Sequence, residues 1–410
     1  MLSVDNQQTY TPRCFLTTMY SAVVALLPVF ASYASGVSGF SMADIILIIC
    51  VMYVVICKNH QKKNHFIVQP LLIWVALYLM ILFSCLSMQI QSNPEYYSII
   101  IRTIRYFFYL ATIVICSKRV LDLERCRKWI KRICLIATCY IFVQAILYLT
   151  GGVILRGYLP FLKLYVEGYA TTDYASLYTS MYRPTSFFLE PAHYARYMAI
   201  GIALFLFDDK ILEFQDVMAA IVLSAGILIS TSAQGYLLLM ILWGICLFTR
   251  SKSIESNKLR VAFYFTCIVL PLLLIAISQI PFVQSTLSRA LNIDTSNLSN
   301  ENTAFGARLG GFSYYLELEP IYQIIGRGFG VVPKSGWLSS AAYWLYGSGC
   351  IVFILYFAYA VMVLAKSHGS ARIIGLIFLI LFFTDDSFYS YMCVLFISLS
   401  CLQPKGGDIA

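Results

Sequence analysis

Residues 67–88 read IVQPLLIWVALYLMILFSCLSM and contain no charged side chain. A membrane-spanning helix needs about 20 mostly apolar residues, so this stretch alone predicts one span. Its apolar run is continuous, whereas the strands of an outer-membrane barrel alternate polar and apolar side chains. The sequence therefore predicts a helical membrane protein.

The rest of the 410-residue chain has the same character, because 60% of its residues are hydrophobic and only 12% are charged. A soluble protein carries about 25% charged residues. This composition excludes a soluble enzyme, a disordered protein and a secreted disulfide module. We expect an all-α polytopic integral membrane protein, one transmembrane domain over 1–410 with about 12 transmembrane helices. The hydrophobic runs lie near 15–35, 42–57, 67–88, 98–116, 133–150, 191–207, 217–231, 234–249, 261–280, 341–365, 373–384 and 387–402.

The basic residues predict the orientation in the membrane. Most of the 29 lysines and arginines fall on one side if the N-terminus is cytoplasmic, including the dense group from Lys118 to Arg132. Cytoplasmic loops carry such an excess. An even number of spans also returns the C-terminus to the cytoplasm. The net charge of +9 is therefore a topology signal, and no nucleic acid partner is expected.

Two outer, periplasmic loops are long, at 151–190 and 281–340. In the larger one, Arg308 opens an amphipathic stretch with Phe312, Tyr315 and Leu316 on one side, which predicts short helices at the membrane interface. The chain has no CxxC pair and no Cys/His cluster, so no zinc or iron–sulfur site is predicted.

Two arginines stand at the outer end of the fourth run, in the sequence Arg102-Thr-Ile-Arg105-Tyr106-Phe-Phe-Tyr109. Spacings of three and four place these arginines and tyrosines on one helix face. An arginine inside the membrane is costly unless it is paired or hydrated. A phosphate ligand would supply the partner, because guanidinium groups match its oxygens. Snorkelling to lipid headgroups is the alternative.

The richest polar cluster closes the first long loop and opens the sixth run. Glu190 precedes the first turn of the expected helix, where capping against the helix dipole would also explain it. The spacing places His193, Tyr194 and Arg196 near Glu190, so a carboxylate, an imidazole, a phenol and a guanidinium gather near the outer interface. Arg183 lies just before them. Ionisable residues at such a position indicate a functional site.

Two further motifs combine glycine with polar residues. Residues 229–235 read ISTSAQG, a tight turn whose small side chains favour close helix packing, with substrate contact as the alternative. Residues 325–330 read IGRGFG, where the glycines permit unusual backbone angles beside Arg327. Arg289 lies in the same long loop.

Two adjacent carboxylates, Asp385 and Asp386, stand with Tyr389 at the outer hairpin between the last two runs. We expect a solvated turn here. A metal site or a contact to a sugar hydroxyl is the alternative, because paired carboxylates can serve either purpose.

The pattern as a whole resembles the O-antigen polymerase and ligase superfamily of bacterial inner membranes, which includes Wzy-type polymerases and related capsular polymerases. The matching pieces are the stretch from Arg183 to Tyr194, the turn at 230–235, Arg308 in the large outer loop and residues 325–330 after it. These motifs cover a small part of the chain, whereas the layout of runs covers all of it.

The resemblance implies a reaction. Oligosaccharide repeat units on undecaprenyl pyrophosphate would be joined at the outer face, where the growing glycan moves to the non-reducing sugar of an incoming unit. The product would be O-antigen or capsular polysaccharide. Arg183 and Arg308 would hold the pyrophosphates. No cofactor or metal is implied, because the donor is already activated. A chain-length regulator protein is a candidate partner.

The residues supply the parts that this reaction requires. Guanidinium groups in a sheltered site stabilise the negative charge of the leaving pyrophosphate. A base activates the attacking hydroxyl; Glu190 and His193 are the candidates, and Glu190 is favoured. The predicted substrate-binding residues are Arg102, Arg105, Arg183, Tyr194, Arg196, Arg289, Arg308 and Arg327.

Three alternatives stay open. A ligase, which transfers glycan to the lipid A core, keeps a histidine in the large outer loop; residues 281–340 contain none, unless His193 takes over that role. A flippase would line a central cavity with arginines, whereas these gather at the outer end, and no internal repeat is visible. A glycosyltransferase using polyprenyl-phosphate sugars would place acids in the first outer loop, which offers little beyond Asp44.

Overall fold

The computed structural model describes residues 12–37, 40–56, 64–155, 157, 162–164, 183–208, 212–250, 310–333, 338–385 and 390–404. Within these ranges the chain is mostly helical. Eleven of the twelve hydrophobic runs are helices there, and the run at 261–280 lies outside the described residues.

The described elements follow one another along the chain. They are α1 (Pro12–Phe30), α2 (Met42–Ile56), β1 (Asn64–Phe66), α3 (Leu71–Ile90), α4 (Tyr96–Thr112, continued by a π-helical turn at Ile113–Ser117), α5 (Leu123–Gly151), α6 (Pro191–Phe207), α7 (Phe214–Ile229), α8 (Ala233–Arg250), α9 (Gly311–Leu316), α10 (Pro320–Ile325), α11 (Ser340–Lys366), α12 (Gly369–Thr384), α13 (Met392–Ser400) and β2 (Leu402–Pro404). Strands β1 and β2 pair antiparallel.

Five of the described helices are long and apolar enough to cross a membrane: α3, α4 with its π-helical turn, α5, α8 and α11. Only 33% of the apolar window is buried in α3, α5 and α11, so most of their apolar side chains face outward, as contact with lipid requires. The predicted class, a helical membrane protein, is confirmed. The dozen spans and the orientation stay predictions.

Helix α6 lies at the centre of the described bundle. All but two of its 17 residues are buried, and it packs against α5, α7, α8 and α12. A helix that is apolar on all sides is buried on all sides. Close packing depends on Gly201, where a Cβ atom would lie 2.5 Å from Cys134 Sγ on α5.

The two ends of the bundle differ in charge. Asp208 follows α6 and pairs with Arg127 in the second turn of α5, at 2.8 Å. Near the other end of α5, Gln144 accepts a hydrogen bond from the backbone of Ser186, at 2.8 Å. Helices α5 and α6 are therefore antiparallel. We call these the Asp208 end and the Glu190 end; the bases from Lys118 to Arg132 lie at the Asp208 end.

A buried ion pair joins α2 to α4. Arg105 Nη2 lies 2.6 Å from Asp44 Oδ2, and the Tyr109 hydroxyl donates to Asp44 Oδ1 at 2.5 Å. The backbone and hydroxyl of Ser41 donate to the same carboxylate, at 2.7 and 2.8 Å. Asp44 is fully buried. The partner that neutralises Arg105 is therefore Asp44, in place of the expected phosphate ligand or lipid headgroup.

The IGRGFG motif forms a loop that lies against α11. Gly326, Gly328 and Gly330 have φ values of 78°, 105° and 111°, which confirms the unusual angles expected there. A Cβ atom at Gly326 would lie 2.3 Å from the carbonyl oxygen of Gly347, so only glycine fits. The loop is held by backbone hydrogen bonds to α11, which departs from helical geometry at Gly349.

An aromatic side chain anchors this loop. Phe329 is 1% exposed, and its ring centroid lies 4.9 to 5.5 Å from those of Tyr106, Tyr343 and Trp344. Its backbone N–H donates to Ser84 Oγ on α3, at 3.1 Å. Irregular backbone inside a membrane bundle is stable only where the protein itself provides hydrogen-bond partners for its N–H and C=O groups.

We expect Asp44→Asn to lower the free energy of unfolding by about 3–5 kcal/mol, because it leaves the Arg105 charge unpaired inside the bundle. Denaturation in mixed micelles, followed by circular dichroism, measures this. Glu124→Gln is the control, since its ion pair with Lys128 is exposed and such pairs contribute little. Equal midpoints for the two variants would contradict the assignment.

Candidate functional site

The predicted polar cluster lies at the Glu190 end, around the first turns of α6. Glu190 has extended backbone angles (φ −133°, ψ 153°), and Pro191 begins the helix. The Glu190 side chain makes no capping hydrogen bond to the first turn of α6, so of the capping role only the interaction with the helix dipole remains. Both Glu190 and His193 are half-buried.

His193 lies close enough to three charged residues of this cluster to interact with them. Glu190, Arg196 and Asp385 all act on it electrostatically. The predicted gathering of a carboxylate, an imidazole and a guanidinium is therefore present. The structure adds a second carboxylate, Asp385, from the distant end of α12.

Arg196 forms a buried ion pair with Asp385. Its Nη1 lies 2.8 Å from Asp385 Oδ2, and Arg196 is only 2% exposed. The Asp385 carbonyl oxygen accepts from the backbone and the hydroxyl of Ser340, at 2.8 and 2.7 Å, which fixes the start of α11. The expectation of a solvated turn is wrong for Asp385, because a buried arginine of α6 draws it inside. Asp386 and Tyr389 lie outside the described residues.

Arg183 holds the turn between α7 and α8. Its Nε donates to Thr231 Oγ1 at 3.0 Å, and its Nη2 donates to the Thr231 carbonyl oxygen at 2.7 Å. Thr231 has a φ of 52°. The packing role of this turn is also present, because a Cβ atom at Gly235 would lie 2.8 Å from Ala195 on α6. The end of the first long loop is therefore tied to the ISTSAQG turn.

Gln234 belongs to the ISTSAQG motif and lies in the first turn of α8, and it had no separate predicted role. It is 3% exposed, and its Nε2 donates to Thr384 Oγ1 at 3.2 Å, beside Asp385. Its Oε1 is buried and accepts no hydrogen bond from the part of the chain that the structure describes. A glutamine at the start of an apolar helix was the only available signal.

The structure does not bring Tyr194 into the cluster. Tyr194 is fully buried, and its hydroxyl lies 3.0 Å from Thr138 Oγ1 on α5. The sequence argument applied helical spacing from Glu190 to Tyr194. The Tyr194 N–H does donate to the Glu190 carbonyl oxygen, at 3.1 Å, but Glu190 has extended angles, so its side chain does not continue the helix face that carries Tyr194.

Arg102 on α4 lies beside the IGRGFG loop, which itself contains Arg327. Arg102 is exposed and makes no ion pair with a described residue, and its side chain passes next to Gly330. The Arg327 guanidinium lies 5.2 Å from the Tyr322 ring centroid and donates to Gln91 Oε1 at 3.3 Å. Its Nε has no hydrogen-bond partner within the described ranges. Arg289 and Arg308 lie outside those ranges.

The arginines of this end therefore fall into two groups. Arg105 and Arg196 are buried and neutralised by aspartates, so in this structure they hold helices together. Arg102, Arg183 and Arg327 are exposed or half-buried and can reach an anion from outside. Among the described residues, no group of three or more His, Cys, Asp or Glu side chains could hold a metal ion.

Comparisons with protein-family models, with curated proteins and with solved structures gave no match. The resemblance noted from the sequence therefore rests on its motifs, and any function has to be argued from the site itself.

A double-mutant cycle tests whether Arg196 and Asp385 act as a pair. We expect Arg196→Met and Asp385→Asn each to destabilise the protein, because each leaves a buried group unpaired. The double variant should lose less than the sum, with a coupling of about 1.5 kcal/mol or more. Unfolding in mixed micelles provides the four free energies. Additive losses would show that the two side chains act independently.

Proposed function

We propose that this protein is a membrane glycosyltransferase, a polysaccharide polymerase. It would join undecaprenyl-pyrophosphate-linked oligosaccharide repeat units into O-antigen or capsular polysaccharide. In this proposal the Glu190 end faces the periplasm of a bacterial inner membrane, both termini are cytoplasmic, and about 12 helices span the bilayer. In the predicted topology the two long loops, 151–190 and 281–340, lie on this periplasmic side.

One observation carries the proposal. Three parts of the chain meet at one end of the buried helix α6, because Arg183 contacts Thr231 and Arg196, one turn after His193, pairs with Asp385. In so apolar a protein, a carboxylate, an imidazole and a guanidinium gathered around the start of a buried helix indicate a site there. A flippase would need such groups along a path through the whole membrane.

The chemistry requires a base and an anion site. The base, Glu190 or His193, takes the proton from the acceptor hydroxyl as its oxygen forms a bond to the anomeric carbon of the donor glycan. The bond between that carbon and the pyrophosphate oxygen breaks, and undecaprenyl pyrophosphate leaves with the electron pair. Guanidinium groups offset the charge that develops on it. The accessible arginines, Arg102, Arg183 and Arg327, suit this role.

The buried ion pair between Arg196 and Asp385 has a different role in the proposal. Arg196 is one turn after His193 on α6, so its bond to Asp385 fixes the part of the helix that carries His193. A preorganised site of this kind needs little reorganisation energy when the transition state forms, because its dipoles and charges are already oriented.

Purified protein incubated in detergent with lipid-linked repeat units tests the activity directly. We expect glycan chains to lengthen, and lengthening without a bilayer cannot result from transport. No elongation by the wild-type protein would overturn the proposal. Translocation of lipid-linked sugar in liposomes would instead indicate a flippase, and transfer of glycan to lipid A core would indicate a ligase.

The same assay identifies the base. We expect Glu190→Gln to lower kcat by about 100- to 10,000-fold, the usual contribution of a general base. KM should change little, because the proton moves only in the transition state. His193→Gln should have a smaller effect. The reverse order would transfer the role to His193.

Arg183 is tested by chain length in cells. We expect Arg183→Ala to leave the protein in the membrane while surface glycans shorten to single repeats, and Arg308→Ala to act in the same way. Arg125→Ala is the control, an exposed arginine at the Asp208 end. Wild-type chain lengths in both loop variants would falsify this assignment.

A further inference from the structure

A second charged cluster, which the proposed reaction does not use, lies at the Asp208 end. Asp208 follows α6, and its Oδ1 accepts hydrogen bonds from Arg127 Nη1 on α5 and from Ser370 Oγ on α12, both at 2.8 Å. Lys131, one turn after Arg127 on α5, places its Nζ 4.0 Å from Asp208 Oδ2. Three helices therefore meet around one carboxylate.

This cluster holds more positive charge than Asp208 can neutralise. Among the described residues, one carboxylate faces two cations here, and the helix terminus beside it adds only about half a negative charge. Lys131 is too far from Asp208 for a hydrogen bond, and its ammonium lies 4.9 Å from the Phe205 ring centroid. Arg127 Nε is buried and donates to no described residue. Within the described residues, Arg127 Nε and Lys131 Nζ therefore donate no hydrogen bond to Asp208, and part of their positive charge is not neutralised.

The cluster lies at the depth of the lipid headgroups. Helix α5 has 29 residues, which at 1.5 Å per residue gives about 44 Å, well above the 30 Å or so of hydrocarbon. Its uncharged apolar run begins at about residue 133. The turns that carry Arg127 and Lys131 must then project into the headgroup region, where lipid phosphates lie.

We propose that Arg127 and Lys131 form a binding site for the phosphate of an anionic phospholipid. Phosphate oxygens accept hydrogen bonds from Lys131 Nζ, which Asp208 does not reach, and the lipid charge neutralises the excess positive charge. The side chains are only 25% and 20% exposed, so the attraction is less screened than at an open surface. Leu135 and Ile136 are exposed on the next turn of α5 and offer an apolar surface to the acyl chains.

Lys131→Gln is the decisive variant, because it removes one cation and leaves the Arg127–Asp208 bond intact. Lys128→Gln is the matched control: Lys128 is on the same helix, 63% exposed, and paired with Glu124. The full-length protein in neutral detergent is titrated with dioleoyl phosphatidylglycerol and, separately, with dioleoyl phosphatidylcholine. Native mass spectrometry then counts the bound lipids.

We expect the wild-type protein and Lys128→Gln to bind phosphatidylglycerol equally well and in preference to phosphatidylcholine. Lys131→Gln should bind it about fivefold more weakly, the effect of one basic residue near a membrane surface. The double variant Arg127→Gln, Asp208→Asn keeps the net charge of the cluster and removes the guanidinium, so it should bind more weakly through the loss of the Arg127 hydrogen-bond donors alone.

Equal losses in Lys131→Gln and Lys128→Gln would overturn the site, because binding would then follow total charge. Equal retention of the two lipids would overturn it as well. Displacement of phosphatidylglycerol by millimolar inorganic phosphate would indicate a site for free phosphate and would contradict the lipid assignment. None of these outcomes depends on the polymerase activity.

Discussion

The ion pair between Arg196 and Asp385 is the interaction on which the Glu190 end depends. A guanidinium inside a membrane bundle must be neutralised, and no acid of α6 itself is in position to do it. The end of α12 therefore folds inward, and the Asp385 carbonyl then fixes the start of α11 through Ser340. The need to neutralise Arg196 thus joins α6, α11 and α12 beside His193.

The same requirement is met elsewhere in the described residues by Asp44 with Arg105 and by Asp208 with Arg127. Each pair joins helices that are far apart in sequence. Their geometry differs in a way that matters for function, since Asp44 and Arg105 satisfy each other and neighbouring donors, whereas Asp208 leaves donors unused. The complete pair maintains the bundle, and the unused donors of the other are the basis of the proposed lipid site.

Glycine and aromatic residues complete the arrangement at the Glu190 end. The IGRGFG loop approaches α11 more closely than any side chain would allow at Gly326, and Phe329 fixes its depth. The loop thereby places Gly330 against the side chain of Arg102 on α4, although the two residues are far apart along the chain.

The sequence by itself determined the helical membrane class, eleven helical runs, the positive φ angles of the IGRGFG loop and the nearness of Glu190, His193 and Arg196. These are local properties, set by composition, periodicity and the lack of a Cβ atom in glycine. Only the tertiary structure decided that Asp385 is buried, and that the hydroxyl of Tyr194 faces α5. Side chains separated by 189 positions, as in the Arg196–Asp385 pair, meet because helices pack, and no local pattern encodes that packing.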